Sequence, residues 1–227
     1  MRLLAIETAT AVGGVAIMED DLLIAESRAN VKVTHSERLL TEIDHALTSS
    51  RLTIDAIDVF ALSTGPGSFT GLRVGLSTLK GLAYATAKKV VAVPTLEAFA
   101  SAITFTPHMI CPLLDARRRE VYAGVFAWEG DGLVRILPEQ AVKLETLLAR
   151  LHEPVVFLGE GAALYRKTIE EIMGERALFA RPRDMAPSPA TVAALGMQRA
   201  RSGAFEDPVR LTPLYLRKSE AELKSPS

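Results

Sequence analysis

The hydrophobic and polar positions of the chain alternate with two different periods, which predicts a mixture of strands and helices. Short apolar runs bounded by polar residues are typical of buried strands, and apolar positions three and four residues apart are typical of amphipathic helices. In the first half, the predicted order is three strands, then a helix, a strand, a helix, a strand and a helix. The strands are RLLAIET, GGVAIM, LLIAES, DVFALST and KVVAVPT, and the helices are THSERLLTEIDHALTSS, the stretch after GPGS, and LEAFASAI.

The first predicted helix, Ser36–Leu47, shows the clearest helical pattern. Thr34 and Glu37 have the spacing of a capping box, in which each side chain satisfies a backbone N–H at the helix start. Its apolar stripe consists of Leu39, Leu40, Ile43, Ala46 and Leu47. A stripe of this kind packs against a sheet and leaves the opposite face polar.

The same order of elements starts again after about 110 residues. MICPLLDA, EVYAGVFAW, LVRILPE, PVVFLGE and RALFA are the predicted strands, and LETLLARL, ALYRKTIEEIM and SPATVAALGMQRARSG are the predicted helices. Three strands followed by two strand–helix units is the ribonuclease-H-like order. Its duplication predicts an α/β protein with an actin-like (ASKHA) two-domain architecture. We expect an N-terminal domain at 1–106 and a smaller C-terminal domain at 107–227.

Composition and charge narrow the possible functions. A net charge of −1 over 227 residues provides no overall field that would attract nucleic acid or an anionic membrane. Cys111 is the only cysteine, so an internal disulfide and a cysteine-based metal site are excluded, and we expect this thiol in the core. The first apolar run, Leu3–Ile6, is too short for a signal peptide or a membrane span. We therefore expect a cytoplasmic protein.

The stretch from Leu62 to Ala85 is rich in glycine, yet its spacing does not match a phosphate-binding motif. A P-loop requires Lys-Ser or Lys-Thr after its last glycine, where this chain has Leu72-Arg73. A Rossmann fingerprint requires G-x-G-x-x-G, and here Gly71 comes one residue late. Pro66 also removes an N–H that could face an anion.

The glycines at 67, 71 and 75 are four residues apart, and they predict that another backbone approaches this helix closely. Glycine inside a helix is destabilising by about 1 kcal/mol relative to alanine, so a close contact must compensate. The neighbour is either a second subunit or a part of the same chain, for which the helix Ser36–Leu47 is the first candidate. The adjacent face, which carries Leu72, Leu76, Leu79 and Ala83, is expected to meet the sheet.

Four stretches together resemble the TsaB family, also called YeaZ. They are LLAIETAT, STGPGSFTGLRVGLSTLKGLA, DARRREVYAGVF and PLYLRKSE. The resemblance covers essentially the whole chain and implies the duplicated actin-like fold. It also implies an accessory subunit without catalytic residues, cofactor or metal, which binds and activates TsaD, its catalytic paralogue, for threonylcarbamoyl transfer to the adenosine beside the anticodon of tRNA.

The resemblance further implies partners and an interface. TsaE, an ATPase, is expected in the same system, tRNA is expected to bind only through the complex, and no membrane contact is expected. Without TsaD, two copies of the chain are expected to pair as a homodimer. The interface is predicted on the helices Ser36–Leu47 and Phe69–Ala85. Its predicted residues are Leu39, Ile43, Gly67, Phe69, Gly71, Arg73, Gly75 and Thr78.

Two departures from TsaD-like proteins agree with an accessory role. Those proteins carry an H-x-x-x-H metal motif, and this chain has Thr95 and Phe99 at the corresponding positions. They also have a Ser-Gly-Gly turn whose amides can face phosphate, and this chain has the segment Asp115–Arg118 there. The four histidines never recur at a metal-ligand spacing, so no metal site is predicted.

Two groups of residues keep alternative interpretations. Glu7, Thr8, Thr10 and Asp115 lie at strand ends where actin-like ATPases bind Mg²⁺ and nucleotide, and they would carry the site if the chain were an ATPase or transferase. In the simpler alternative, Glu7 and Asp115 accept hydrogen bonds from nearby backbone. Arg117, Arg118 and Arg119 are candidates for contact with RNA or a partner, or form a solvated turn.

Overall fold

The structure, a computed structural model, describes residues 1–30 and 35–217, without the side chain of His35. Thr34, the predicted cap of the first helix, and the last ten residues of the predicted tail lie outside this description. The chain contains ten strands and seven α-helices within the described ranges. No described helix combines the length and the apolar character that a membrane span requires.

The first half follows the predicted order of elements. It contains β1 (Arg2–Glu7), β2 (Val12–Glu19), β3 (Leu22–Asn30), α1 (His35–Ser49), β4 (Val59–Ser63), α2 (Phe69–Thr86), β5 (Lys89–Val93) and α3 (Thr95–Ser101). The second half contains β6 (Met109–Asp115), β7 (Glu120–Glu129), β8 (Gly132–Lys143), α4 (Leu144–Leu148), β9 (Val155–Leu158), α5 (Glu160–Leu164), α6 (Arg166–Met173), β10 (Ala177–Phe179) and α7 (Pro189–Arg201). One predicted helix, ALYRKTIEEIM, is interrupted at Tyr165, where α5 ends and α6 begins.

The two sheets have the same topology. The first has the strand order β3-β2-β1-β4-β5, and the second has β8-β7-β6-β9-β10. In each sheet the first three strands in chain order are antiparallel. The fourth strand pairs in parallel with the central strand, and the fifth pairs in parallel with the fourth. This topology confirms the predicted duplicated ribonuclease-H-like fold of actin-like (ASKHA) proteins.

The compact units differ from the predicted division at Thr106-Pro107. One unit consists of Met1–Ala98 and Pro187–Leu214, and the other contains Phe99–Ala186 and the chain from Tyr215. The difference arises because α7 packs on the first sheet, where Val192 and Met197 are buried with Leu3 and Ala5. Gly196 permits this contact, since a Cβ there would lie 2.7 Å from the Cβ of Ala61.

The first sheet is therefore covered on both faces within its unit. On one face, α1 and α2 bury Leu39, Ile43, Leu76 and Leu79 against the strands, as the helical stripes predict. On the other face lies α7. In the second unit, a single core gathers α4, α5 and α6 against the sheet and contains Cys111. Burial raises the pKa of the Cys111 thiol, in agreement with the predicted core role.

Candidate functional site

The loop between β4 and α2 places the glycines of α2 against the end of β1. Ser68 caps α2, and its hydroxyl accepts a hydrogen bond from the Gly71 N–H at 3.2 Å. A Cβ at Gly67 would lie 2.3 Å from the Ala9 carbonyl oxygen, and one at Gly75 would lie 2.3 Å from Thr8 Oγ1. Distances this short leave no room for a side chain. The close approach at Gly67 and Gly75 is therefore intramolecular.

The predicted interface needs correction at several positions. The space beside Gly67 and Gly75 is filled by the same chain, as the intramolecular alternative predicts, but by the segment that follows β1 and not by α1. Gly71 is buried as well. Leu39 and Ile43 belong to the core of the first unit, with 2% and 4% of their surface exposed, so neither side chain is available to a partner. The glycine spacing required a close neighbour, but it did not identify that neighbour.

The outward surface of α1 and α2 carries the remaining interface candidates. Phe69 and Thr78 are half-buried and Arg73 is exposed, and the Arg73 guanidinium lies 3.8 Å from the centre of the Phe69 ring. Two further apolar side chains were not predicted here. Leu40, which the pattern assigned to the buried stripe, is 64% exposed, and Tyr84 is 92% exposed.

The end of β1 forms a closed polar cluster. Glu7 and Thr8 are fully buried, and Thr10 is nearly so. Glu7 Oε1 accepts the Ala9 N–H at 2.6 Å, while Glu7 Oε2, Thr8 Oγ1 and Ser63 Oγ have no hydrogen-bond partner of ordinary geometry. Burial raises the pKa of Glu7 from 4.5 to about 7, against the lowering effects of the Ala9 N–H, the nearby Ser63 hydroxyl and the Arg28 charge.

Asp115 occupies the equivalent strand end in the second unit. Its Oδ1 accepts the Arg117 N–H at 3.0 Å and the Tyr165 hydroxyl at 3.3 Å. Glu7 and Asp115 thus both bond the backbone N–H two residues further on, as the capping interpretation predicts. The pKa of the neighbouring Glu160 carboxyl is raised, mainly by burial and secondly by the negative charge of Asp115.

The turn after Asp115 retains the backbone conformation of a glycine turn without its glycines. Arg117, Arg118 and Arg119 have φ angles of 65°, 55° and 61°, in the left-handed region that side chains disfavour. All three residues are exposed. A glycine turn presents bare backbone N–H groups to a phosphate, whereas positions 117–119 of this turn all carry arginine side chains. The segment therefore does not fit the nucleotide that the actin-like fold implies. The buried Glu7 and Thr8 do not fit it either.

Thr95 and Phe99, which replace the two histidines of the metal motif, are buried within the fold. Thr95 Oγ1 accepts the Gly65 N–H at 3.0 Å, and the Thr95 N–H donates to the Gly65 carbonyl at 2.8 Å. Thr95 and Phe99 are both buried on α3. Among the residues that the structure describes, no three His, Cys, Asp or Glu side chains are grouped as metal ligands.

The described part of the PLYLRKSE stretch is bound to its own chain. In the first unit, the Leu214 N–H donates to the Thr64 carbonyl at 2.7 Å. In the second, the Arg217 guanidinium donates to the Ala116 carbonyl at 3.0 Å and to Glu120 Oε2 at 3.2 Å. Arg217 therefore stabilises both ends of the arginine turn, a contact that the sequence did not indicate.

Comparison with known proteins places the chain in a family. The family described as "TsaD: tRNA N6-adenosine threonylcarbamoyltransferase" matches residues 27–225. The tRNA threonylcarbamoyladenosine biosynthesis protein TsaB of Bacillus subtilis is 32% identical over 99% of this chain and 97% of its own length. The tRNA N6-adenosine threonylcarbamoyltransferase of Kosmotoga olearia is 37% identical over 50% of this chain and 39% of its own.

A solved structure has the same fold. YeaZ from Pseudomonas aeruginosa superimposes with a TM-score of 0.79 and 24% identity, and the match covers 95% of this chain and 99% of that one. The likeness therefore extends over nearly the whole fold of the chain. The chain belongs to the TsaB, or YeaZ, branch of the TsaD threonylcarbamoyltransferase family.

Proposed function

We propose that this chain is a non-catalytic accessory subunit of the system that forms threonylcarbamoyladenosine in tRNA. In this role it binds and activates a TsaD-type threonylcarbamoyltransferase for transfer to the adenosine beside the anticodon. The relatives named for this pathway support the assignment, since one of them aligns over nearly the whole chain. One observation supports the non-catalytic role: at the positions of the missing metal-binding histidines, Thr95 and Phe99 are buried, and Thr95 bonds the backbone of Gly65.

The surface proposed to bind the TsaD-type partner is the outward side of α1 and α2. It contains Leu40, Tyr84, and Arg73 with the Phe69 ring stacked on it. Thr78 lies about 120–140° around α2 from Tyr84 and Arg73 and is left out of this surface. Exposed aromatic and aliphatic side chains beside arginine are typical of the centre of a protein interface. A specific interface of this kind buries about 800 Å² on each side. In the absence of the partner, the same surface would pair two copies of this chain.

The experiment combines the chain with its cognate TsaD-type transferase, the TsaE-type ATPase and tRNA, each omitted in turn. We expect modification to stop when this chain is left out. Modification at an unchanged rate without it would refute the accessory role.

The interface is tested with matched variants. Leu40→Arg and Tyr84→Arg introduce charge at exposed apolar positions, and both should abolish co-elution with the transferase. Leu164→Arg is the control, since Leu164 is comparably exposed, at 61%, on α5 of the other unit. Normal binding by the first two variants would refute this surface. Variants at Gly75 are unsuitable here, because an added side chain would collide with Thr8.

An actin-fold ATPase or transferase that uses Glu7 and Asp115 is the competing function. Titration of the isolated chain with Mg-ATP distinguishes the two, since an enzyme of this type would bind below millimolar concentration and lose turnover in Glu7→Ala. The burial of Glu7 favours the accessory role.

A further inference from the structure

The β6–β7 turn, Ala116–Arg119, is the most strongly basic surface turn that the structure describes, and its backbone is held in an unfavourable conformation. Arg117, Arg118 and Arg119 all lie in the left-handed region. Residues with a Cβ occupy this region at an energetic cost, and several in succession are rare. Such conformations persist where surrounding contacts impose them, and they occur most often at functional sites.

Contacts on both sides of the turn impose its conformation. The Ala116 N–H donates to the Glu120 carbonyl at 3.0 Å, and the Glu120 N–H donates to the Arg117 carbonyl at 2.9 Å. Asp115 accepts the Arg117 N–H on one side. On the other side, Arg217 bonds the Ala116 carbonyl and the Glu120 carboxylate. The base of the turn is thus held by hydrogen bonds on both sides, and its three arginines are exposed beyond it.

Three carboxylates, Asp115, Glu120 and Glu160, lie near the turn. Arg117 pairs with Asp115 at 4.0 Å, and Glu160 interacts with the charges of Asp115 and Arg117. Asp115 accepts the Tyr165 hydroxyl in addition to the Arg117 N–H, and Glu120 is paired with Arg217. Beyond Glu120, its cross-strand neighbour Lys143 adds a further exposed cation. The charge presented to solvent at this end of the second sheet is therefore positive, although the whole chain has a net charge of −1.

The chemistry of the turn distinguishes between an RNA and a protein as its partner. Arginine is common in protein interfaces, where it lies beside aromatic and apolar side chains. The three exposed residues of this turn are all arginines, with no aromatic or large apolar residue among them. Guanidinium groups bind phosphate oxygens in a bidentate manner. The turn has no aromatic side chain on which a base could stack, so the contact expected is with phosphates and is independent of sequence.

We infer that the β6–β7 turn binds the phosphate backbone of the RNA substrate when the chain is part of its transferase complex. This inference rests on the proposed function, which supplies tRNA as the polyanion. The turn would add phosphate contacts from the accessory subunit to those of the catalytic subunit. It would position the RNA without any part in the chemistry, because phosphate contacts fix orientation and register.

The test measures tRNA affinity of the complex as a function of salt concentration. The variant Arg118→Gln/Arg119→Gln should weaken tRNA binding at least about tenfold at 0.1 M salt, and should lower the salt slope by about 2, since each phosphate contact contributes about one unit. Arg150→Gln/Arg181→Gln is the control. It removes the same charge from two exposed arginines of the same unit, and it should leave the slope unchanged.

Binding of the transferase is measured separately, without RNA, so that a failure of this inference can be told from a failure of the proposed function. Unchanged transferase binding with weakened tRNA binding supports the inference. An unchanged salt slope in the turn variant refutes it, and so does a loss of transferase binding, which would make the turn a protein contact. A wild-type chain that binds no transferase would instead refute the proposed function.

Discussion

The buried Glu7 carboxyl should make the stability of this protein depend on pH in an unusual direction. Glu7 is fully buried, and its pKa rises from 4.5 to about 7 on folding. The folded state therefore holds this proton more tightly than the unfolded chain does. Stability from this group is fully present below pH 4.5, declines as the pH rises, and is lost once the pH passes about 7.

The magnitude follows from the size of the shift. When Glu7 is ionised in the folded state, a pKa rise of this size corresponds to a destabilisation of about 3 kcal/mol. Between pH 5 and pH 8, the contribution of this one group should change by about 2.5 kcal/mol. Glu7→Gln removes the ionisation and keeps an oxygen that can accept the Ala9 N–H. The variant should therefore be more stable than wild type at pH 8 by about 3 kcal/mol, and by less than about 1 kcal/mol at pH 5.

The assay is urea unfolding of wild type and Glu7→Gln at half-unit pH steps between pH 5 and 8. Glu153→Gln, which changes an exposed carboxyl, is the control and should follow the wild-type curve. Other titrating groups are common to all three proteins, so the difference between Glu7→Gln and wild type isolates Glu7. A difference that stays constant across this range would refute the assignment of a raised Glu7 pKa.

Three further predictions concern packing and backbone conformation. Gly75→Ala should be destabilising by about 1–3 kcal/mol, because its methyl group collides with Thr8, whereas Gly81→Ala in open space on the same helix should be stabilising by about 1 kcal/mol. Denaturant unfolding measures both, and equal effects would contradict the close approach. Arg118→Gly should be stabilising by about 1 kcal/mol or less, since glycine accepts a φ of 55°; a lower melting temperature would contradict this. Gly196→Leu should be destabilising by at least about 2 kcal/mol by forcing α7 away from Ala61, and an unchanged unfolding midpoint would contradict the packing of α7 on the first sheet.

The order of strands and helices could be predicted from the sequence because it depends on local periodicity. Apolar runs such as RLLAIET and MICPLLDA became the central strands of their sheets, and the face of α2 with Leu76 and Leu79 packs as its spacing indicates. The sheet on which α7 packs could not be predicted in this way. An amphipathic helix has the same pattern whichever sheet it covers. Its place in the second half of the chain suggested the second sheet, whereas α7 covers the first.

The site was predictable only where the residue type itself determines the contact. Glycine at 67 and 75 indicated a close approach, but a missing side chain carries no information about what approaches it. Leu40 was assigned to the buried stripe because it neighbours Leu39, although a rotation of about 100° per residue separates their directions. The left-handed φ of Arg118 was not predictable, because arginine normally avoids that region.

The position of α7 has a consequence for folding during synthesis. The first unit begins at the N-terminus, yet one face of its sheet remains uncovered until Val192 and Met197 have been translated. The second unit lies almost entirely between these two parts of the chain, so it can fold while the older segment still exposes Leu3 and Ala5. The sheet whose strands are synthesised earlier is therefore the later of the two to be completed, and its apolar face stays exposed for longer during synthesis.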